Sequence, residues 1–363
     1  MIGYTHKKNT QLQQYGYVAL VFGAAGLFFP AIPVLALLLL GTVFVLSSTL
    51  WFTKMYAEYK LRKPNERARL EKWEEKMFNT VRVAGFERHY EQLVLDSVPY
   101  SVVIDIPKGP VRGVMTMLHG AQGTKDDPVF QHISSIASLY GMATVRFDAQ
   151  SGIANTKDTN VSFTVSSALQ DVARIQSWLQ TQLWIPKSAP RILFGHSAGA
   201  LAAGMYASQA SAEEVAGLLF LAPTISGARY VQQFEMVDPE GLQLWRKQGT
   251  RPIMHPLLKK YYTIDYSFVE DSQQYDMCTA LQRTSLPIGV IAGEIDTVSG
   301  GAVAHTLRTC TGAIAYTSVA IPHLAHIPES MQSVRAIGET VEAMLEAFFA
   351  SNATRFGDYT AHK

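Results

Sequence analysis

Arg191-Ile192-Leu193-Phe194-Gly195-His196-Ser197-Ala198-Gly199-Ala200 reads as a short apolar strand, a sharp turn carrying a serine, and the start of an Ala-rich helix that runs on to Ala210. In such a turn the Gly-x-Ser-x-Gly glycines let helix and strand approach closely, and the serine takes a strained backbone conformation that lifts its hydroxyl above the sheet. A helix-capping serine after a buried strand shares the local pattern. The surrounding chain separates the two readings.

Outward from this turn, short β-rich runs alternate with amphipathic helical stretches. Strands are expected at 92–95, 100–106, 113–118, 143–147, 192–194, 218–221, 288–291 and 314–321, and helices near 129–139, 166–183, 198–210 and 331–349. Several of these strands are unbroken apolar runs, as expected where both faces of a parallel sheet are covered. The order predicts an antiparallel start and then βα units, whose right-handed crossovers put helices on both faces. Residues 225–275 break the rhythm with polar and aromatic side chains and are expected to form a cap over the carboxyl edge of the sheet. Tyr230, Phe234, Trp245, Tyr261, Tyr262, Tyr266 and Phe268 within it suit either an acyl tunnel or the cap's own small core.

A serine hydroxyl is a poor nucleophile until a base takes its proton, and the base needs an acid to orient it. On a scaffold of this kind both follow later strands, in the order Ser, Asp, His. After 288–291 the chain reads Ala292-Gly293-Glu294-Ile295-Asp296, and after 314–321 it reads Pro322-His323-Leu324-Ala325-His326. Asp296 and His326 are preferred, because each lies far enough past its strand to reach back; Glu294 and His323 are the alternates. Two backbone donors are needed for the oxyanion. The Ala198 amide is one candidate and the Ala121 amide, in the turn His119-Gly120-Ala121-Gln122-Gly123, is the other. His119 and His196 are expected to brace these turns. The remaining histidines, His132 and His255 among them, show no metal-ligand spacing, so neither a metal nor a cofactor is called for.

Together these residues resemble the α/β-hydrolase superfamily, and within it the serine esterase, monoacylglycerol lipase and serine aminopeptidase-like group. The resemblance covers roughly 91–349 and rests on His119-Gly120, Phe147-Asp148, the serine turn, Gly293-x-x-Asp296 and His326. It implies a mostly parallel eight-stranded sheet with helices on both faces and a cap insertion. It also implies that Ser197 is acylated, that His326 acts as general base and then acid, and that Asp296 orients it. Where family members often carry Asp-x-x-Gly-x-Gly-x-Ser, this chain has Asp148-Ala149-Gln150-Ser151-Gly152-Ile153-Ala154-Asn155.

The N-terminal part has a different character. Charged residues make up only 17% of the chain, and none occurs between Lys8 and Lys54. A straight helix over the apolar stretch 17–52 would be about 54 Å long, against a hydrocarbon core of about 30 Å. Pro30 and Pro33 break it, predicting transmembrane helices as a hairpin or a single kinked span. A cleaved signal peptide has a much shorter apolar core. Lys54, Lys60, Arg62, Lys63, Arg67, Arg69 and Lys72 follow the stretch, so the positive-inside rule places the rest of the chain on the cytoplasmic side. The expected organisation is an anchor over 1–53, a charged helical connector over 54–84, the hydrolase domain over 85–350 with its cap at about 225–275, and a tail over 351–363.

The net charge of +1 removes the electrostatic case for nucleic acid as a partner. The two cysteines, Cys278 and Cys310, rule out a disulfide scaffold and a cysteine-rich zinc site, and fit a reducing compartment. The leading functional expectation is a membrane-anchored serine hydrolase acting on the ester of a lipid or other amphipathic small molecule. An acyltransferase, thioesterase or peptidase on the same triad is the second, and a catalytically silent membrane-bound interaction module the third.

Overall fold

The computed structural model describes residues 85–155, 159–255, 260–300 and 302–351. The apolar stretch 17–52, the charged connector and the C-terminal tail lie outside the described residues, bar Ser351. Among the described residues no helix is long and apolar enough to cross a membrane.

The chain opens with β1 (Phe86–Leu95) and β2 (Val98–Pro107), an antiparallel hairpin, followed by β3 (Gly113–Leu118), α1 (Pro128–Leu139) and β4 (Met142–Phe147). After the two-residue β5 (Asn160–Val161) come α2 (Val165–Gln180), β6 (Arg191–His196), α3 (Ala198–Ala207) and β7 (Gly217–Leu221). An insertion then holds α4 (Gly227–Val237), α5 (Pro239–Gln248), β8 (Thr250–Met254), β9 (Tyr261–Asp265), α6 (Ser267–Ser272) and α7 (Met277–Ala280). The chain returns through β10 (Ile288–Gly293), α8 (Val303–Cys310), β11 (Tyr316–Ile321) and α9 (Met331–Ser351).

Eight strands form one mixed sheet in the order β1-β2-β4-β3-β6-β7-β10-β11. The β1–β2 and β2–β4 pairs are antiparallel and every later pair is parallel. Residues of β3, β4, β7 and β10 are buried throughout, because apolar side chains on both faces meet helices. β1 and β11 are edges and carry mostly exposed side chains. From β3 the chain first moves to β4 and later back to β6, so right-handed crossovers put α1 and α9, packed on each other, opposite α2 and α3. α3 is short-chained and buried nearly all round. Its alanines and glycines let it lie close beneath β6.

The insertion begins and ends side by side: Ser226 pairs with Asp276 in an antiparallel bridge. Ser226 and Asp238 cap α4 and α5 by accepting from the amides of Arg229 and Gly241. β9 pairs with β8 on one side and β5 on the other, a second small sheet absent from the sequence expectation. Tyr230, Phe234, Trp245, Tyr266 and Phe268 pack on one another with ring centroids 5.6–6.5 Å apart. These five rings make the insertion's own core. Tyr262 is buried beside His255, and Tyr261 is exposed.

Cys278 on α7 and Cys310 at the end of α8 are disulfide-bonded, with Cα atoms 5.2 Å apart. This runs against the reducing-compartment reading of the two cysteines. The 32-residue separation conceals that their helices are neighbours.

An ionic ladder crosses the sheet near the carboxyl end of β4. Arg88 makes a bidentate pair with Asp105, at 2.6 and 3.0 Å, and Arg146 reaches the same carboxylate at 3.2 Å and the Lys125 carbonyl at 2.6 Å. Lys125 in turn donates to Asp148 from its amide and its ammonium, at 2.9 and 2.8 Å. Arg146 is only 1% exposed, and a buried ion is tolerated only when paired. Arg146→Leu should therefore lower the unfolding free energy by about 3 kcal/mol, read by denaturant titration, since Asp105 keeps only Arg88 and the Lys125 carbonyl loses its donor.

Candidate active site

Ser197 sits between β6 and α3 with φ 55° and ψ −123°, in the left-handed region that a side chain rarely occupies. Steric crowding fixes this turn. A Cβ at Gly195 would lie 2.4 Å from the Ala200 Cα, and one at Gly199 would lie 2.4 Å from the His119 carbonyl oxygen. Hydrogen bonds hold the turn to the end of β7: the Ser197 amide donates to the Leu221 carbonyl at 3.1 Å, and the Thr224 amide to the Ser197 carbonyl at 3.1 Å.

The loops after β10 and β11 bring two of the expected residues to this serine. His326 Nε2 is 2.8 Å from Ser197 Oγ, and His326 Nδ1 is 3.0 Å from Asp296 Oδ2. The other Asp296 oxygen accepts from the amides of Val298 and Ser299 at 2.8 and 2.9 Å. Burial by itself would raise the Asp296 carboxyl. The His326 ring and the two amides outweigh it and hold the group below the ordinary carboxylate value, so it is ionised at neutral pH. Glu294 and His323, the alternates, are exposed; His323 occupies a tight turn at φ 58°.

The turn after β3 lies directly against the nucleophile, because Gly120 has no side chain: a Cβ there would be 2.9 Å from the Ser197 Cβ. Among the described residues no carbonyl accepts from the Ala121 or Ala198 amide. Ala198 follows the serine directly, and Ala121 follows Gly120, which packs against it.

Two histidines brace the surroundings. His119 donates from Nδ1 to the Gly120 carbonyl at 2.7 Å and accepts at Nε2 from the Ala149 amide at 3.0 Å, tying the turn after β3 to the loop after β4. His196 donates from Nε2 to the His326 carbonyl at 3.0 Å. Burial, together with the nearby His326 ring, pushes His196 down to about 4, so it is a neutral strut at physiological pH. The loop that departs from the family pattern is folded in as well: Asp148 is held by Lys125, and Asn155 donates to the Ala149 carbonyl at 2.8 Å.

Sequence reasoning missed one residue of this site. Ser299 Oγ lies 3.2 Å from His326 Nδ1, on the ring edge facing away from Ser197, and donates to the Ala222 carbonyl at 2.8 Å. No pattern marks such a serine; its only signal is a hydroxyl three residues beyond the acid.

Gly199→Ala should push the turn after β3 away from Ser197 and lower kcat about 100-fold, the cost of roughly an ångström of misplacement. Steady-state kinetics on folded protein, verified by circular dichroism, would read this.

No family model and no curated protein matches the chain by sequence. Solved structures do match. Est1E from Butyrivibrio proteoclasticus is 14% identical with a TM-score of 0.55, the alignment covering 73% of this chain and 99% of that one. Alpha/beta hydrolase domain-containing protein 10 from mouse is 15% identical, with a TM-score of 0.52 and coverage of 72% and 99%. A dienelactone hydrolase from Anabaena variabilis is 14% identical, with a TM-score of 0.51 and coverage of 73% and 98%. The likeness is one of fold, and the reactive geometry comes from this chain's own side chains: it is a serine hydrolase built on the α/β-hydrolase fold.

Proposed function

We propose that this protein hydrolyses a carboxylic ester of a lipid or other amphipathic small molecule through an acyl-enzyme on Ser197, while anchored to a membrane by residues 17–52. The observation that carries the chemistry is the unbroken hydrogen-bonded path from Ser197 Oγ through the His326 ring to Asp296. His326 Nε2 takes the hydroxyl proton as Oγ attacks the carbonyl carbon. The imidazolium so formed is stabilised by Asp296, and the oxyanion by the Ala121 and Ala198 amides. Collapse expels the alcohol, which takes the proton from Nε2. Water then repeats the cycle: His326 removes its proton, the hydroxyl adds to the acyl carbon, and the acid leaves as Ser197 recovers its hydrogen.

Small esters as a substrate class agree with the neighbouring structures, one of which is Est1E with ferulic acid bound. Preference for amphipathic substrates follows from the apolar N-terminal stretch, which would keep the domain beside a bilayer. The Lys- and Arg-rich pattern after that stretch supports a cytoplasmic domain. There the Cys278–Cys310 pair would face reducing thiols, which makes it a reporter of orientation.

Three outcomes test this reading. A fluorophosphonate probe should label the wild-type protein and leave Ser197→Ala unlabelled; equal labelling of both would end the assignment. Asp296→Asn should lose about 10⁴-fold in kcat on p-nitrophenyl esters, because the ring can then settle in the wrong tautomer; thioester and aminoacyl substrates tried in parallel should turn over more slowly. In intact cells, a permeant maleimide should alkylate Cys278 and Cys310 without prior reduction. A requirement for reductant would overturn the cytoplasmic placement and leave the chemistry intact.

A further inference from the structure

We infer that Ser299 is a positioning residue for this hydrolysis: its hydroxyl is a second acceptor for the Nδ1 proton of His326 and, with Asp296, fixes the tautomer in which Nε2 is free to receive the Ser197 proton. The inference rests on the triad reading above and deepens it.

A serine hydroxyl has one hydrogen to give. That of Ser299 goes to the Ala222 carbonyl at 2.8 Å, so only oxygen lone pairs remain to face His326 Nδ1, 3.2 Å away. Asp296, ionised, presents lone pairs to the same nitrogen at 3.0 Å. A bare Nδ1 would meet two acceptors and no donor. The proton therefore resides on Nδ1, shared between carboxylate and hydroxyl, and Nε2 is left as an acceptor aimed at Ser197. Donation to Ala222 also polarises the Ser299 oxygen and makes it a better acceptor.

The backbone supports the same arrangement. The Ser299 amide donates to Asp296 Oδ1 at 2.9 Å while its side chain meets the ring, so one residue sets both acceptors. Adjacent carbonyls at the end of β7 then hold both ends of the proton path: Leu221 receives the Ser197 amide and Ala222 receives the Ser299 hydroxyl. Ala222 itself is held at φ 43°, with its amide on the Ile291 carbonyl at 2.7 Å. Ser299 is on the wrong edge of the ring to be attacking nucleophile itself.

During turnover the ring becomes an imidazolium, and its bond to Ser299 strengthens because the donor is then charged. The titratable groups facing the ring are Asp296, at Nδ1, and His196, whose ring centroid is 5.4 Å away and which burial keeps neutral. Neither substitutes for the hydroxyl.

The test compares wild type with Ser299→Ala, Ser299→Thr and Ser299→Val on a p-nitrophenyl ester across pH. Thr and Val have the same shape and differ in the hydroxyl, so the pair isolates the hydrogen bond even where Ala disturbs the loop. Ala and Val should lose about tenfold in kcat, the usual weight of one hydrogen bond. The acid limb of kcat/KM should move to lower pH by roughly half a unit, since the imidazolium loses an acceptor. Thr should restore the rate and the profile. Wild-type behaviour in Val, or equal impairment in Thr and Val, overturns the inference, as does a rate loss in Val with an unmoved pH profile. Failure of the triad reading is seen separately, as a wild-type protein that no fluorophosphonate labels at Ser197.

Discussion

The site depends on crowding around one turn. Ser197 is held in a backbone conformation that costs on the order of 1–3 kcal/mol, and it stays there because β6, α3 and the turn after β3 approach more closely than any side chain would allow. Gly195, Gly199 and Gly120 are the three places where that approach is made. The strain is offset by the surrounding buried core, since β6 and α3 are almost wholly enclosed. Backbone strain and core packing are thus coupled at a single residue: the same contacts that close the core lift the hydroxyl out of it.

Around the turn, rigidity comes from hydrogen bonds made by two histidine rings. His119 links the turn after β3 to the loop after β4, and His196 links β6 to the backbone of His326. Burial keeps the His196 ring neutral. The Arg88–Asp105–Arg146–Lys125–Asp148 ladder continues the same bracing outward. A catalytic ring whose neighbours keep their charge states is one whose own charge change does not disturb the scaffold.

Much of this was legible beforehand, for physical reasons that differ from element to element. The central strands of the main sheet announce themselves as apolar runs because both their faces are covered, as in the Leu219-Phe220-Leu221 end of β7, whereas the exposed edge β1 shows only its 92–95 end. The serine turn is readable because close approach demands glycine at fixed offsets. Position past a strand was enough to point to Asp296 and His326, which the structure brings to Ser197, over Glu294 and His323, which it leaves exposed. Other features had no local signature. β5 is two residues long and finds its partner about a hundred residues later in β9. Arg146 looks like an interruption in a strand until Asp105 is seen beside it. The bond between Cys278 and Cys310 and the contact of Ser299 with His326 exist only once distant segments meet.

The bridge between Ser226 and Asp276 closes the insertion at its base, so the main sheet sees its two ends almost as a single short connection. Joining points that are already neighbours costs little chain entropy however long the inserted segment becomes. The aromatic cluster inside the insertion also reaches outward, Phe268 packing on Phe163 at 6.1 Å between ring centroids. An insertion closed at its base in this way can change in length while the register of β7 against β10 stays as it is.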